Sequence, residues 1–200
     1  DETDRVLREA MDGRDVHAAV LNAGITHFGD DAELSWDAFQ NMIDVNVTSV
    51  MRMVRALIPH IETRSPGGGV LLVSSMAGLT PVPYQSAYSA TKAFLVNYGL
   101  SMTAELEGRP VSLTVFAPGG IQTEMTSGER FRALGGWLMP VAPAAEAALE
   151  GLRRREFLSV PGAFMRTGTS LLGLIPRRFL TRQVGAVYRR GLAKASRAGG

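Results

Sequence analysis

Val70-Leu71-Leu72-Val73-Ser74-Ser75-Met76-Ala77-Gly78 is the stretch on which the fold turns. Its first four residues are apolar without a break. A strand with one wet face alternates, whereas an unbroken run suits a strand covered on both faces. Small polar residues end the run at once, after a turn at Pro66-Gly67-Gly68-Gly69 has opened it. Outward from there the same grammar repeats. Val111 to Phe116 is a second buried run, ending in Ala117-Pro118-Gly119, and Val16 to Leu21 is a third, ending in Asn22-Ala23-Gly24. Phe157 to Val160 reads as a last strand. Between the strands the period is helical: Asp1 to Met11, then Trp36 onward with Ser35 as N-cap. Apolar residues from Phe39 to Ile61 predict two consecutive helices meeting near Asp44. Helices from about Gln85 to Glu107 and from Pro143 to about Arg154 follow, with residues 120–141 irregular. Strands alternating with helices predict an α/β fold with a parallel sheet. Ligands of such sheets lie beyond the carboxyl ends of the strands. The clusters at Asn22–Gly24, Ser74–Gly78 and Pro118–Thr123 all fall there.

Composition bounds the rest. Two hundred residues, 46% of them hydrophobic, suffice for one globular domain with a sizeable core. There is no cysteine, hence no disulfide framework and no thiolate metal site. His17, His27 and His60 are widely spaced and lack ligand spacing, so no metal is expected. No leader or membrane span is legible, and a cytoplasmic protein is expected. The chain opens on Asp1 and not on methionine, which reads as a trimmed chain or a piece of a longer one.

Lysine is rare here: Lys92 and Lys194 are the two among 21 basic residues. Lys92 follows Tyr88 by four positions, one helical turn on and on the same face. Ser75 stands thirteen residues before Tyr88, at a strand end. Serine, tyrosine and lysine in this order suit proton transfer to a carbonyl oxygen. Tyrosine normally ionises near pH 10, too high for efficient acid–base work near neutrality, and a cation nearby favours the phenolate. Lys92 is expected to be that cation.

Asn22-Ala23-Gly24, Asp44-Val45-Asn46-Val47, Ser75, Tyr88-Ser-Ala-Thr-Lys92 and Pro118-Gly119-x-x-x-Thr123 together resemble the short-chain dehydrogenase/reductase family, in order and spacing, over roughly residues 1–125. The resemblance implies a Rossmann-like, doubly wound parallel sheet and a nicotinamide cofactor, NAD(P). It implies an oxidoreductase moving hydride between that cofactor and a ketone or secondary alcohol. In it Tyr88 is the acid/base, and Lys92 both modulates Tyr88 and grips the ribose. Ser75 anchors the substrate oxygen, and Asn46 supports a proton relay. Asn22, Ala23 and Gly24 line the adenosine side, while Pro118, Gly119, Ile121 and Thr123 hold the nicotinamide side. The resemblance also implies a homo-oligomer joined through the long helices.

The family's first strands and its Thr-Gly-x-x-x-Gly-x-Gly turn have no counterpart here. With them goes the position that separates NAD from NADP. Without the strand that neighbours it in the family, Val16–Leu21 is expected to become an exposed edge. Residues 1–160 are read as a partial catalytic domain and 161–200 as a basic amphipathic extension. Residues 1–150 carry 10 basic and 18 acidic side chains, a balance of −8, and residues 151–200 carry 11 and one, a balance of +10. The extension resembles the tails of some bacterial reductases. Leu171, Leu174, Ile175, Phe179 and Leu180 form an apolar stripe among arginines. It suits lying on an anionic membrane surface, covering the substrate pocket, or meeting a second subunit; nucleic acid is not expected, since no recognition motif accompanies the charge. Apolar residues between Glu124 and Pro140 (Met125, Phe131, Leu134, Trp137, Leu138 and Met139) favour a hydrophobic substrate. The rival reading is a truncated, non-catalytic relative acting as a binding or membrane-associated protein.

Overall fold

A computed structural model describes residues 2–127, 138–162 and 176–198. Four parallel strands, β1 (Ala18–Leu21), β2 (Gly69–Val73), β3 (Ser112–Phe116) and β4 (Leu158–Ser159), lie side by side in chain order. The helices between them are α1 (Glu2–Met11), α2 (Trp36–Ile43), α3 (Ser49–Arg64), α4 (Met76–Leu79), α5 (Ser86–Glu105) and α6 (Val141–Arg153); α7 (Arg177–Ala198) follows the last strand. Ser35 caps α2 as expected, its Oγ accepting the Ala38 N–H at 3.2 Å.

The unbroken apolar run of β2 is split between two cores, since successive side chains point to opposite faces. Val70 and Leu72 join Val54, Ile58 and Ile61 of α3 and Leu95 of α5 on one face. Leu71 and Val73 join Phe116 and the α6 residues Ala148 and Leu152 on the other. Leu71 and Leu72 are both fully buried, the signature that the sequence carried. Among the described residues β1 pairs with β2 alone, and Val20 is 47% exposed. The expected open edge is therefore present.

The two helices expected to meet near Asp44 are instead one continuous rod. α2 runs through a π-turn at Asp44–Thr48 into α3, with the Ser49 N–H donating to the Asp44 carbonyl five residues back. One wide turn re-aims the side chains after it without ending the helix, a device common at functional sites. Phe131, Leu134, Trp137, Leu171, Leu174 and Ile175 lie outside the described residues.

α5 sits close to the sheet because Gly99 has no side chain: a Cβ there would collide with Val115 of β3. Gly99→Ala is expected to destabilise the fold by up to about 2 kcal/mol, since overpacking of roughly 1–3 kcal/mol is offset by a helix-propensity gain of about 1 kcal/mol. Urea unfolding of the two proteins measures the difference.

Candidate active site

The carboxyl ends of β1, β2 and β3 open on one crevice, and the elements after them carry the candidate side chains. Ser75 follows β2 and caps the short helix α4, its Oγ accepting the Ala77 N–H at 3.1 Å. Its side chain lies close enough to the hydroxyl of Tyr88, on the first turn of α5, to act on the Tyr88 pKa. The Met76 N–H donates to the Pro118 carbonyl at 2.8 Å, which ties the end of β2 to the loop after β3.

Lys92 is 4% exposed. Its Nζ donates to the Val73 carbonyl at 2.9 Å and lies 5.7 Å from the centroid of the Tyr88 ring. Its own carbonyl accepts the Ser74 hydroxyl at 2.8 Å. Gly78 permits that contact, since a Cβ on it would stand 2.6 Å from the Lys92 carbonyl oxygen. Desolvation lowers the Lys92 pKa to about 8. Burial likewise pushes the Tyr88 phenol up, and the nearby Ser75 side chain offsets this in part. The expected depression of Tyr88 by Lys92 is not found: the Tyr88 pKa is raised, with burial as the cause and Ser75 acting against it. The ammonium faces the ring and the Val73 carbonyl, and burial disfavours the charged form of both partners.

Asn46, at the centre of the π-turn, is fully buried. Its Oδ1 accepts the Ile25 N–H at 2.8 Å, while Nδ2 donates to the Ile25 carbonyl at 2.9 Å and to Thr91 Oγ1 at 3.0 Å. Thr91 in turn donates to the Tyr88 carbonyl at 2.7 Å. The asparagine clamps the loop after β1 against α5. Within that loop a Cβ on Gly24 would meet Lys92 Nζ at 3.3 Å and Asn46 Oδ1 at 3.4 Å. Gly24, Asn46, Ser75, Tyr88 and Lys92 are therefore one constellation. Asn22 and Ala23 are exposed beside it. Pro118 is buried and Gly119 half-buried at the end of β3. Ile121 forms an isolated parallel bridge with Met139, and the Ile121 carbonyl accepts Thr126 Oγ1 at 2.6 Å. Thr123 is exposed at the start of a single 3-10 turn, and no described contact joins it to Tyr88 or Lys92.

A family model described as short chain dehydrogenase matches residues 1–132. The chain belongs to the short-chain dehydrogenase family. An uncharacterized oxidoreductase of Myxococcus xanthus (strain DK1622) is 32% identical over 150 residues, 75% of this chain and 57% of the relative. Mouse 17-beta-hydroxysteroid dehydrogenase type 3 is 32% identical over 126 residues, 60% of this chain and 40% of the relative. A short-chain dehydrogenase from Sphingobium yanoikuyae, solved in complex with NADPH, matches with a TM-score of 0.69 at 25% identity, covering 86% of this chain and 68% of that one. The chain spans about half the length of the curated relatives it matches.

The sequence reading missed one residue of this constellation. Thr91 lies inside the Tyr88–Lys92 segment, one position off the stripe that drew attention. Tyr188 of the tail packs edge-on against Phe28 on the loop after β1, and burial, with a smaller effect of Tyr88, raises its pKa.

Buried Lys92 makes stability depend on pH. Its pKa is about 8 in the fold against 10.5 for the free group. Between these values the unfolded chain holds more of this proton than the folded one, so the contribution of Lys92 to stability rises with pH. Urea unfolding across that window should find wild type gaining stability relative to Lys92→Met. A constant difference between the two would contradict the shift.

Proposed function

We propose that the protein is an NAD(P)-dependent oxidoreductase that interconverts a ketone and a secondary alcohol. The observation that carries this reading is Lys92 Nζ 5.7 Å from the Tyr88 ring, with Ser75 beside the Tyr88 hydroxyl, at the converging strand ends. The raised pKa of Tyr88 keeps its proton in place near neutrality, which is what a general acid requires in the reductive direction. Ser75 donates to the substrate oxygen and holds it beside the phenol. When the proton moves to that oxygen, the charged form of Lys92, present below about pH 8, stabilises the phenolate left behind. Asn46 fixes the loop and α5 at the distance this requires.

The residues present fit the nicotinamide-riboside half of the cofactor. Lys92 spends one N–H on Val73 and faces bare Gly24, so ribose hydroxyls have donors to meet and no side chain to displace. A bound nicotinamide supplies or accepts the hydride. Pro118, Gly119, Ile121 and Thr123 are assigned to its carboxamide side, and Asn22, Ala23 and Gly24 to its adenosine side. The likeness to a 17-beta-hydroxysteroid dehydrogenase favours a hydrophobic carbonyl substrate. Phe94, 44% exposed and stacked on Tyr98 with centroids 6.1 Å apart, supports a homo-oligomer joined through α5.

Tyr88→Phe in the full-length protein is expected to lower kcat by roughly 10²–10⁴-fold, the usual worth of a positioned general acid. NADPH or NADH binding, read by quenching of tryptophan fluorescence, is expected to persist. Turnover within a factor of two of wild type would sink the assignment.

The outer face of α7 favours a second property. Arg177, Arg178 and Arg190 are exposed there, together with Phe179 (57% exposed) and Val187 (51%). No described helix is long and apolar enough to cross a membrane. Basic residues around exposed apolar ones instead suit peripheral contact with an anionic bilayer from the cytoplasmic side. Sedimentation with phosphatidylserine vesicles should carry the protein down, and replacing these three arginines by glutamine should release it. Equal partitioning of both forms would refute this.

A further inference from the structure

Ser89 is the residue after Tyr88 on α5, and it is buried. Its hydroxyl donates to the Ala77 carbonyl of α4 at 2.6 Å and accepts the Val82 N–H at 3.3 Å. The Thr80 carbonyl is also near, at 3.5 Å, but a hydroxyl has one proton and Ala77 is the closer acceptor.

The sequence explains why the Ala77 carbonyl needs a side-chain partner. α4 is a single turn, and its helical bonding ends with the Thr80 N–H donating to the Met76 carbonyl at 3.2 Å. The next bond in that series would bring the N–H of residue 81 to the Ala77 carbonyl. That residue is Pro81, which has no N–H. Ala77 is buried, and a buried carbonyl is costly to leave unpaired. The Ser89 hydroxyl takes the place of the missing donor.

Ala77 is also the residue that Ser75 holds, its N–H donating to Ser75 Oγ at 3.1 Å. A continuous path therefore runs from Ser75 through Ala77 to Ser89, the neighbour of Tyr88. The Ala77 N–H occupies a lone pair of Ser75 Oγ and leaves the hydroxyl proton for a substrate oxygen. A separate tie joins the end of β2 to α5 three residues further on, where the Ser74 hydroxyl donates to the Lys92 carbonyl at 2.8 Å. That bond holds the turn of the lysine, whereas Ser89 holds the turn of the tyrosine.

We infer that Ser89 is a positioning residue: through Ala77 it sets the separation between the Ser75 and Tyr88 hydroxyls, the two groups that meet at the substrate oxygen. This rests on the carbonyl-reductase reading and deepens it. Loss of the Ser89 hydroxyl frees α4 and Ser75 from α5 but leaves the bonds of Lys92 and the space at Gly24 intact. The defect should therefore fall on the chemical step and not on binding of the dinucleotide.

The test is a double-mutant cycle between Ser75 and Ser89 in the full-length protein, with cyclohexanone as substrate and NADPH or NADH as cofactor. Ser89→Ala alone should lower kcat by roughly 10–100-fold, the cost of a small misplacement of reacting groups. Quenching of tryptophan fluorescence by the cofactor should be unchanged. In Ser75→Ala, which has already lost the group being positioned, the same change should lower kcat by less than about threefold. Equal losses in both backgrounds would mark a general effect on the fold and overturn the inference, as would a Ser89→Ala protein as fast as wild type. Ser89→Cys fills the same space with a weaker donor. It should show a smaller loss in the same pattern, so a poorly folding alanine protein leaves the cycle intact. A readout without turnover is the Tyr88 signal in protein carrying ¹³Cζ-labelled tyrosine, assigned by its loss in Tyr88→Phe. Removing the Ser89 hydroxyl should move that signal when Ser75 is present and leave it in place in Ser75→Ala. A shift of the same size in both overturns the inference. If wild type reduces no ketone with either cofactor while the signal follows the expected pattern, the proposed reaction fails and the positioning stands.

Discussion

Lys92 is held at both ends by the terminus of one strand. Its ammonium donates to the carbonyl of Val73 and its own carbonyl accepts the hydroxyl of the next residue, Ser74. A buried ammonium is costly unless paired, and among the described residues no carboxylate offsets the desolvation that lowers its pKa. The fold maintains this arrangement through close contacts. Gly78 brings α4 against the backbone of Lys92, Gly99 lets α5 lie on β3, and Gly24 leaves the space in front of the ammonium open. The register of α5 on the sheet is thereby fixed, and with it the position of Tyr88 relative to Ser75.

The same constraint explains what was readable in the sequence. The apolar run at Val70–Val73 suited a doubly covered strand, and its partition between two cores follows from the pleat. The spacing of Tyr88 and Lys92 predicted a shared face, which depends only on helical geometry. Contacts between distant segments were not readable. That Asn46 would clamp Ile25, 21 residues away, depends on the π-turn, and nothing in Asp44–Thr48 marks a wide turn over an ordinary one. The direction of the Tyr88 shift was misjudged for a related reason. Spacing puts the lysine near the tyrosine, but only the fold decides that its Nζ is bonded to a carbonyl and that both groups are buried.

The tail presents the reverse case, a pattern that was legible without a destination. An amphipathic helix announces an apolar stripe but not the surface it will cover. In the fold the inward positions of α7, Gly185 and Tyr188, meet Pro83 and Phe28. Its arginines are left on the outer side and at the mouth of a cavity of about 610 Å³. There Arg182 and Arg189 face the loop that carries Asp30 and Asp31. Part of the charge asymmetry between the acidic body and the basic tail is therefore internal complementarity. It needs no external anion to account for it.

Two boundaries of the crevice are thus built differently. On the α7 side, aromatic contact and a close glycine–proline approach cover the site. On the β1 side, the strand pairs with β2 alone among the described residues, and Val20 is exposed. Lys92 and Gly24 lie between these sides and present donors and free space suited to a ribose.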